Sequence, residues 1–297
     1  MRITQNTLFS NLINDLNRNR TEVARLQDDV SIGKSVNKAS DDSRAFTSGR
    51  MIQNSLDRMA QYQKNIQSGL QQANTTENSL NGIIDQLIKL KSVAVKGAND
   101  SLDATDRSNL ANEVASIRKT IIDQANAKSN DKYLFGGTNI VQPPFYENSG
   151  ATGGVADRSN TSELTTQISD AVNVSYSVTG KELRNTSAGD LFSVVKKVED
   201  ALKNNDAQAL NNSLSDIEKV TNHVTTLSAK IGDTINRMNF TSTQFDNSKI
   251  NQKSDLSNLV DTDYAKAMSQ IQQYQIAYQA ALVTHSKITS MTLANYL

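Results

Sequence analysis

The two prolines of the chain, Pro143 and Pro144, stand side by side near its middle, and the sequence on either flank runs without another. Proline is the residue that a helix interior excludes, so both flanks are open to long uninterrupted helices. A second regularity says how such helices would pack. From Asp261 to Leu297 a helix places Tyr264, Ile271 and Tyr278 seven apart, with Ala267, Tyr274, Ala281 and Ile288 three residues further on. Met268 and Leu282 widen the strip. This two-position repeat is a coiled-coil seam, with Asp261 or Thr262 expected to cap its start. Between Gln5 and Gly33 the same spacing recurs: Phe9, Leu16, Val23 and Val30 form one row, Leu12 and Leu26 the other, with Asn19 interrupting. The two seams are expected to pair with each other and then with copies of themselves.

The interior repeats the pattern. Gly33 breaks the first helix, and Ser40 to Asp42 supply a cap for a second, from Ser43 to Ala98. Its rows are Ile52, Met59, Ile66, Ala73, Leu80 and Leu87, with Leu56, Leu70 and Ile84 beside them. At 1.5 Å per residue it would be roughly 80 Å long, too long for the side of a compact globule. Asp103 is placed to cap a third helix carrying Leu110, Val114, Ile117 and Ile121, ending near Ser129 to Asp131. From Tyr133 the texture becomes strand and turn, and Val172, Val174, Tyr176 and Val178 alternate as a half-buried strand does. Helix resumes at Asp190, whose side chain can cap Leu191 to Leu202, and again from Asp206 to Lys253, where Leu210, Ile217, Val224, Ile231, Met238 and Phe245 stand seven apart. The expected fold is mainly α: a long antiparallel helical bundle or coiled coil built from both chain ends, with a small β-rich insert. The expected domains are 1–42 with 254–297, 43–132 with 188–253, and the insert at 133–187.

Composition narrows the function. Thirty-one basic residues balance 31 acidic ones, which gives no electrostatic reason to bind nucleic acid or an acidic membrane surface. The absence of cysteine excludes disulfides and thiolate chemistry. The opening Met1-Arg-Ile-Thr-Gln-Asn6 has no apolar leader region, and no stretch is apolar enough to span a bilayer. Catalysis has little foothold. His223 and His285 lie on different helices without the carboxylate spacing of a metal site. Asp41 and Asp42 read as helix capping together with an inter-subunit contact, and Gly136-Gly137 lacks the Lys-Ser/Thr of a phosphate loop. No catalytic residue, metal or cofactor is expected.

One stretch is distinctive. Val30-Ser-Ile-Gly-Lys-Ser-Val-Asn-Lys-Ala-Ser-Asp-Asp-Ser-Arg-Ala45 closely resembles the flagellin-family signature, carried here by Gly33, Asn37, Asp41 and Asp42. Leu87-Ile-Lys-Leu-Lys-Ser-Val-Ala-Val-Lys-Gly-Ala-Asn99 resembles the family's segment at the end of its long N-terminal helix, and Asp263-Tyr-Ala-Lys-Ala267 the start of its C-terminal one. Tyr133-Leu-Phe-Gly-Gly-Thr138, with Phe135, Gly136 and Gly137, is similar to the junction type of that family. Leu293-Ala-Asn-Tyr-Leu297 lacks the Pro-Gln-x-Val-Leu ending usual in filament flagellins.

The resemblance implies a structural axial protein of the bacterial flagellum that joins hook to filament and does no catalysis. It implies terminal helices forming an inner tube, long helices around them, and the insert facing outward. The implied partners are copies of the chain, a neighbouring hook-associated protein, flagellin, and a cytoplasmic export chaperone; export would leave no cleaved leader. Three features depart from the family: Asn19 falls in the first seam, His285 in the last, and Lys89 and Lys91 stand where the segment read by innate immune receptors usually bears arginine. Seams left uncovered, at about 1.5–3 kcal/mol per buried side chain, predict ends that order on joining an assembly. A filament flagellin and a cytosolic helical adaptor or chaperone are the alternative readings.

Overall fold

The computed structural model describes the backbone of residues 5–99 and 101–294, with side chains except those of residues 5, 6, 8, 9 and 288–294. In chain order the elements are α1 (Gln5–Ile32), α2 (Ser43–Gly97), α3 (Ala104–Ala125), β1 (Lys128–Ser129), β2 (Lys132–Tyr133), β3 (Phe145–Glu147) and β4 (Val155–Asp157). There follow β5 (Thr165–Ser169), β6 (Val172–Ser175), α4 (Gly180–Arg184), β7 (Asn185–Thr186), β8 (Gly189–Asp190), α5 (Leu191–Lys203), α6 (Ala207–Val260) and α7 (Tyr264–Ala294). The protein is mainly α, and among the described residues its strands form four antiparallel pairs of two.

Helix boundaries follow the capping chemistry. Asp103 accepts from the N–H of Asp106, and Asp190 from that of Ser193. Thr179 and Glu182 form a reciprocal capping box at α4. Two expectations need correction. α3 ends at Ala125, because Asn130 and Asp131 both take positive φ and turn a two-residue hairpin between β1 and β2. α6 runs past Lys253 to Val260, because nothing breaks it and Val260 is buried over Gly49.

The chain forms two compact units, residues 59–246 and residues 1–58 with 247–297. The core of the first joins Leu80, Ile83, Leu87 and Leu90 of α2 to Val114, Ile117 and Ile121 of α3. Val194, Val195 and Val198 of α5 and Leu210, Ile217 and Val224 of α6 complete it. Each set keeps helical spacing, so every helix gives one stripe to a shared interior. Phe135, Phe145 and Leu183 from the strand-rich region enter that same core, with the Phe145 and Phe192 rings 5.2 Å apart. The β5–β6 hairpin builds a smaller core of Ile168 and Val174 against Ile66 and Met238.

Charge also ties this unit. Arg107 is buried; its guanidinium donates to the carbonyls of Gly97 and Asn99 at 2.9 Å each and to the Asn205 side chain. It therefore satisfies carbonyls at the open end of α2 and holds the α5–α6 turn beside them.

Candidate functional site

In the unit made from residues 1–58 and 247–297, α1 and α7 pack on each other. Leu26, Ala267 and Ile271 are buried between them, with Val30 and Tyr274 against the cluster. Leu12, Leu16, Val23, Tyr278 and Ala281 continue the seam half-buried, as do Asn19 and His285. Beyond the tight end a groove of about 410 Å³ opens between the helices beside Val23 and Tyr278, with Arg20, Gln27 and Gln275 among its walls. Phe9 and Ile288 lie outside the described side chains.

Three seam residues stay largely uncovered in the subunit: Tyr264, Met268 and Leu282 are exposed. Ala267, Ile271 and Tyr274 advance by four and three residues along one face. At 3.6 residues per turn Met268 falls on its flank, about 60° from Ile271, whereas Tyr264 and Leu282 lie only about 20° from Ile271, at the edge of the same face. Sequence reasoning missed that Ile276 and Val283, again seven apart, extend this apolar surface. Tyr264, Met268, Ile276, Leu282 and Val283 are each between 45% and 66% exposed. The outer side of α1 is instead mostly polar.

The segments that connect this helix pair to α2 and α6 are clasped. Gly33 takes φ +78°, which a residue with Cβ resists, and closes α1 by donating to the carbonyl of Asp29 at 2.9 Å. Lys34 and Asp261 form an antiparallel bridge, Ser35 N–H donates to Val260 at 2.8 Å, and Thr262 N–H donates to Gly33 at 3.1 Å. One oxygen of Asp41 accepts from the N–H groups of Asn37 and Lys38, and the Asn37 amide donates to Lys34. Those backbone donors hold the Asp41 carboxyl below the usual aspartate range. Asp42 caps α2 through Arg44 and Ala45 at 2.9 Å each. The expected cap of α7 shifts by a residue or two: Asp263, not Asp261 or Thr262, accepts from Lys266 at 3.0 Å.

The Leu-Phe-Gly-Gly turn is a packing node. Phe135 is buried and its carbonyl accepts from Gly180 at 2.6 Å. Gly136 has no room for a Cβ against the Asn139 carbonyl, and Gly137 takes φ +66° against Asn160.

His223 donates from Nε2 to the Glu182 carbonyl at 2.7 Å, which fixes its tautomer. It borders a cavity of about 460 Å³ where Lys230 bridges Glu163 at 2.9 Å and Glu182 at 3.2 Å. Among the described residues no group of three or more His, Asp or Glu side chains is arranged to hold a metal ion. No described helix is long and apolar enough to cross a membrane.

Residues 3–140 match the family pattern described as bacterial flagellin N-terminal helical region, and residues 214–297 the bacterial flagellin C-terminal helical region. Flagellar hook-associated protein 3 of Salmonella typhimurium is 24% identical, the alignment covering 99% of this chain and 98% of that protein. A flagellin of Bacillus subtilis is also 24% identical, over 95% of this chain and 94% of its own. The crystal structure of the flagellar junction protein FlgL from Legionella pneumophila superposes with TM-score 0.64 at 14% identity, covering 72% of this chain and 99% of that one.

Proposed function

The chain belongs to the flagellin family, and from that membership we propose that it is a structural axial protein of the bacterial flagellum, joining hook to filament. The observation that carries the reading is the apolar surface of α7 that α1 leaves uncovered. A helix already packed on α1 still offers five large apolar side chains to solvent, which marks a surface for further partners. A chain whose own fold satisfies only one side of that helix is suited to a ring or tube in which neighbouring copies cover the other.

Several features favour the junction role over bulk filament. The relative named hook-associated protein 3 aligns over nearly the whole of both chains, and Tyr133-Leu-Phe-Gly-Gly-Thr138 folds as a specific buried turn. Residues 1–42 with 254–297 then serve as the inner-tube domain, 43–132 with 188–253 as the surrounding helical layer, and 133–187 as the outward insert. The partners are other copies, a neighbouring hook-associated protein, flagellin, and an export chaperone met before an export that cleaves no leader. No catalysis is part of this role. The second reading, filament flagellin, draws on the similarity to the B. subtilis protein.

Electron microscopy of cells lacking the chain separates the two. The junction role predicts hooks on the cell with complete filaments shed into the medium. Hooks with no filament protein polymerised anywhere would favour the flagellin reading, and normal attached filaments would refute both.

A further inference from the structure

The clasp between α1 and α7 contains one carboxylate in a poor setting. Asp29 sits in the last turn of α1 and is 8% exposed. Among the described residues it pairs with Arg25, at 3.0 Å, which is itself about half exposed and divided between Asp29 and Glu22. The other charges that face Asp29 are mostly acidic. Glu22 and Asp28 lie on its own helix, Asp41 in the segment leading to α2, and Asp261 and Asp263 in the segment leading to α7. Lys266, on the first turn of α7, lines the same cavity of about 260 Å³.

The backbone of this residue carries the joint. The Asp29 carbonyl accepts from Gly33 N–H at 2.9 Å and from the Thr262 hydroxyl at 3.2 Å, so it holds the closing turn of α1 and the segment before α7 together. We propose that this joint is a proton-responsive clasp, in which neutralising Asp29 tightens the seating of the end of α1 against the start of α7. The inference is independent of the junction role and concerns the subunit's own fold.

Burial is the first cause that pushes the Asp29 carboxyl above the ordinary aspartate value, with Asp41, Asp28 and Glu22 adding to it against Arg25. For an acid whose folded value is raised, the fold binds the proton more tightly than the unfolded chain does. Stability is therefore gained as pH falls through the folded value and is complete below the unfolded one, about 3.8. Asp41 works in the opposite sense lower down. Its depressed carboxyl keeps the Asn37–Lys38 turn closed until it too is protonated, below 3.8. The clasp is firmest in the acid window between the two titrations.

The test is amide hydrogen exchange of the full-length chain, corrected for intrinsic rates and read at the Gly33 and Thr262 amides, with a carbon-13 titration of the Asp29 carboxyl. Protection is expected to rise as pH falls through the Asp29 titration, about threefold for each half unit by which that titration lies above an unfolded aspartate. Asp29→Asn should show the higher protection already at neutral pH, with the rise abolished. Arg25→Gln, which removes the counter-charge and leaves Asp29 in place, should enlarge the rise and move it to higher pH. The last variant decides the matter if Asp29→Asn fails to fold. Protection that is flat or falls on acidification, amides that are unprotected throughout, or Asp29→Asn less protected than the parent chain at neutral pH would each overturn the proposal.

Discussion

Ile271 and Leu282 sit three turns apart on one helix, yet substitution at the two positions should separate folding from assembly. Ile271 is 6% exposed, in the cluster with Leu26 and Ala267; Leu282 is 45% exposed. Truncating a buried isoleucine to alanine costs about 2–5 kcal/mol, and the small size of this cluster puts Ile271→Ala near the lower end. Leu282→Asp forfeits only the half of its burial that the subunit provides, about 1 kcal/mol. In an assembly the order reverses. There Leu282→Asp loses the remaining burial and forces an unpaired carboxylate out of water, together at least about 3 kcal/mol, or two orders of magnitude in the concentration needed to assemble. The assay is urea unfolding of the subunit by circular dichroism beside sedimentation of assembled material. Ile271→Ala should lower the unfolding midpoint clearly and Leu282→Asp barely, while Leu282→Asp alone keeps a folded subunit that fails to sediment. A Leu282→Asp chain that assembles at the parent concentration would refute the argument that this face is a joining surface. One that unfolds as early as Ile271→Ala would show that the subunit already covers it.

Deleting residues 288–297 should leave a soluble, helical chain that no longer assembles, checked by circular dichroism and electron microscopy; retained filament attachment in cells would count against the terminal seam. Arg107→Met should destabilise residues 59–246 by about 2–4 kcal/mol in denaturant unfolding, because the Gly97 and Asn99 carbonyls and Asn205 lose a buried charged donor together. Gly136→Ala should cost at least about 2 kcal/mol, since the new methyl meets the Asn139 carbonyl and backbone must move; hydrogen exchange should show the loss first in residues 133–139. Asp41→Asn should flatten the acid limb of the clasp's stability. The parent loses its Asp41 contribution as pH falls through a value below 3.8, whereas the amide has no such titration; an unchanged acid limb would assign it elsewhere.

Periodicity and caps are local, and they carried the helices well. The rows in α2 and α6 became buried stripes, and Asp103, Asp190 and Asp42 cap where their spacing put them. The resemblance around Gly33, Asn37, Asp41 and Asp42 also has a local cause, because those residues shape one turn through bonds spanning a few positions. Where a local signal was misread, a competing local signal had won: the positive-φ pair Asn130–Asp131 ended α3 early, and Asp263 outcompeted Asp261 and Thr262 as a cap.

What the chain determined by itself, then, is a set of long amphipathic helices interrupted by a strand-rich segment, since helix formation and capping depend on residues within a turn or two of each other. Only the tertiary structure decided how much of the apolar strip of α7 is covered by α1, because the strip is wider than one partner helix and that partner lies more than two hundred residues away. It likewise decided that Arg107 reaches Asn205 and that Asp29 is enclosed among acids from both connecting segments. Burial and charge environment are properties of what surrounds a residue in space, and no spacing along the chain records them.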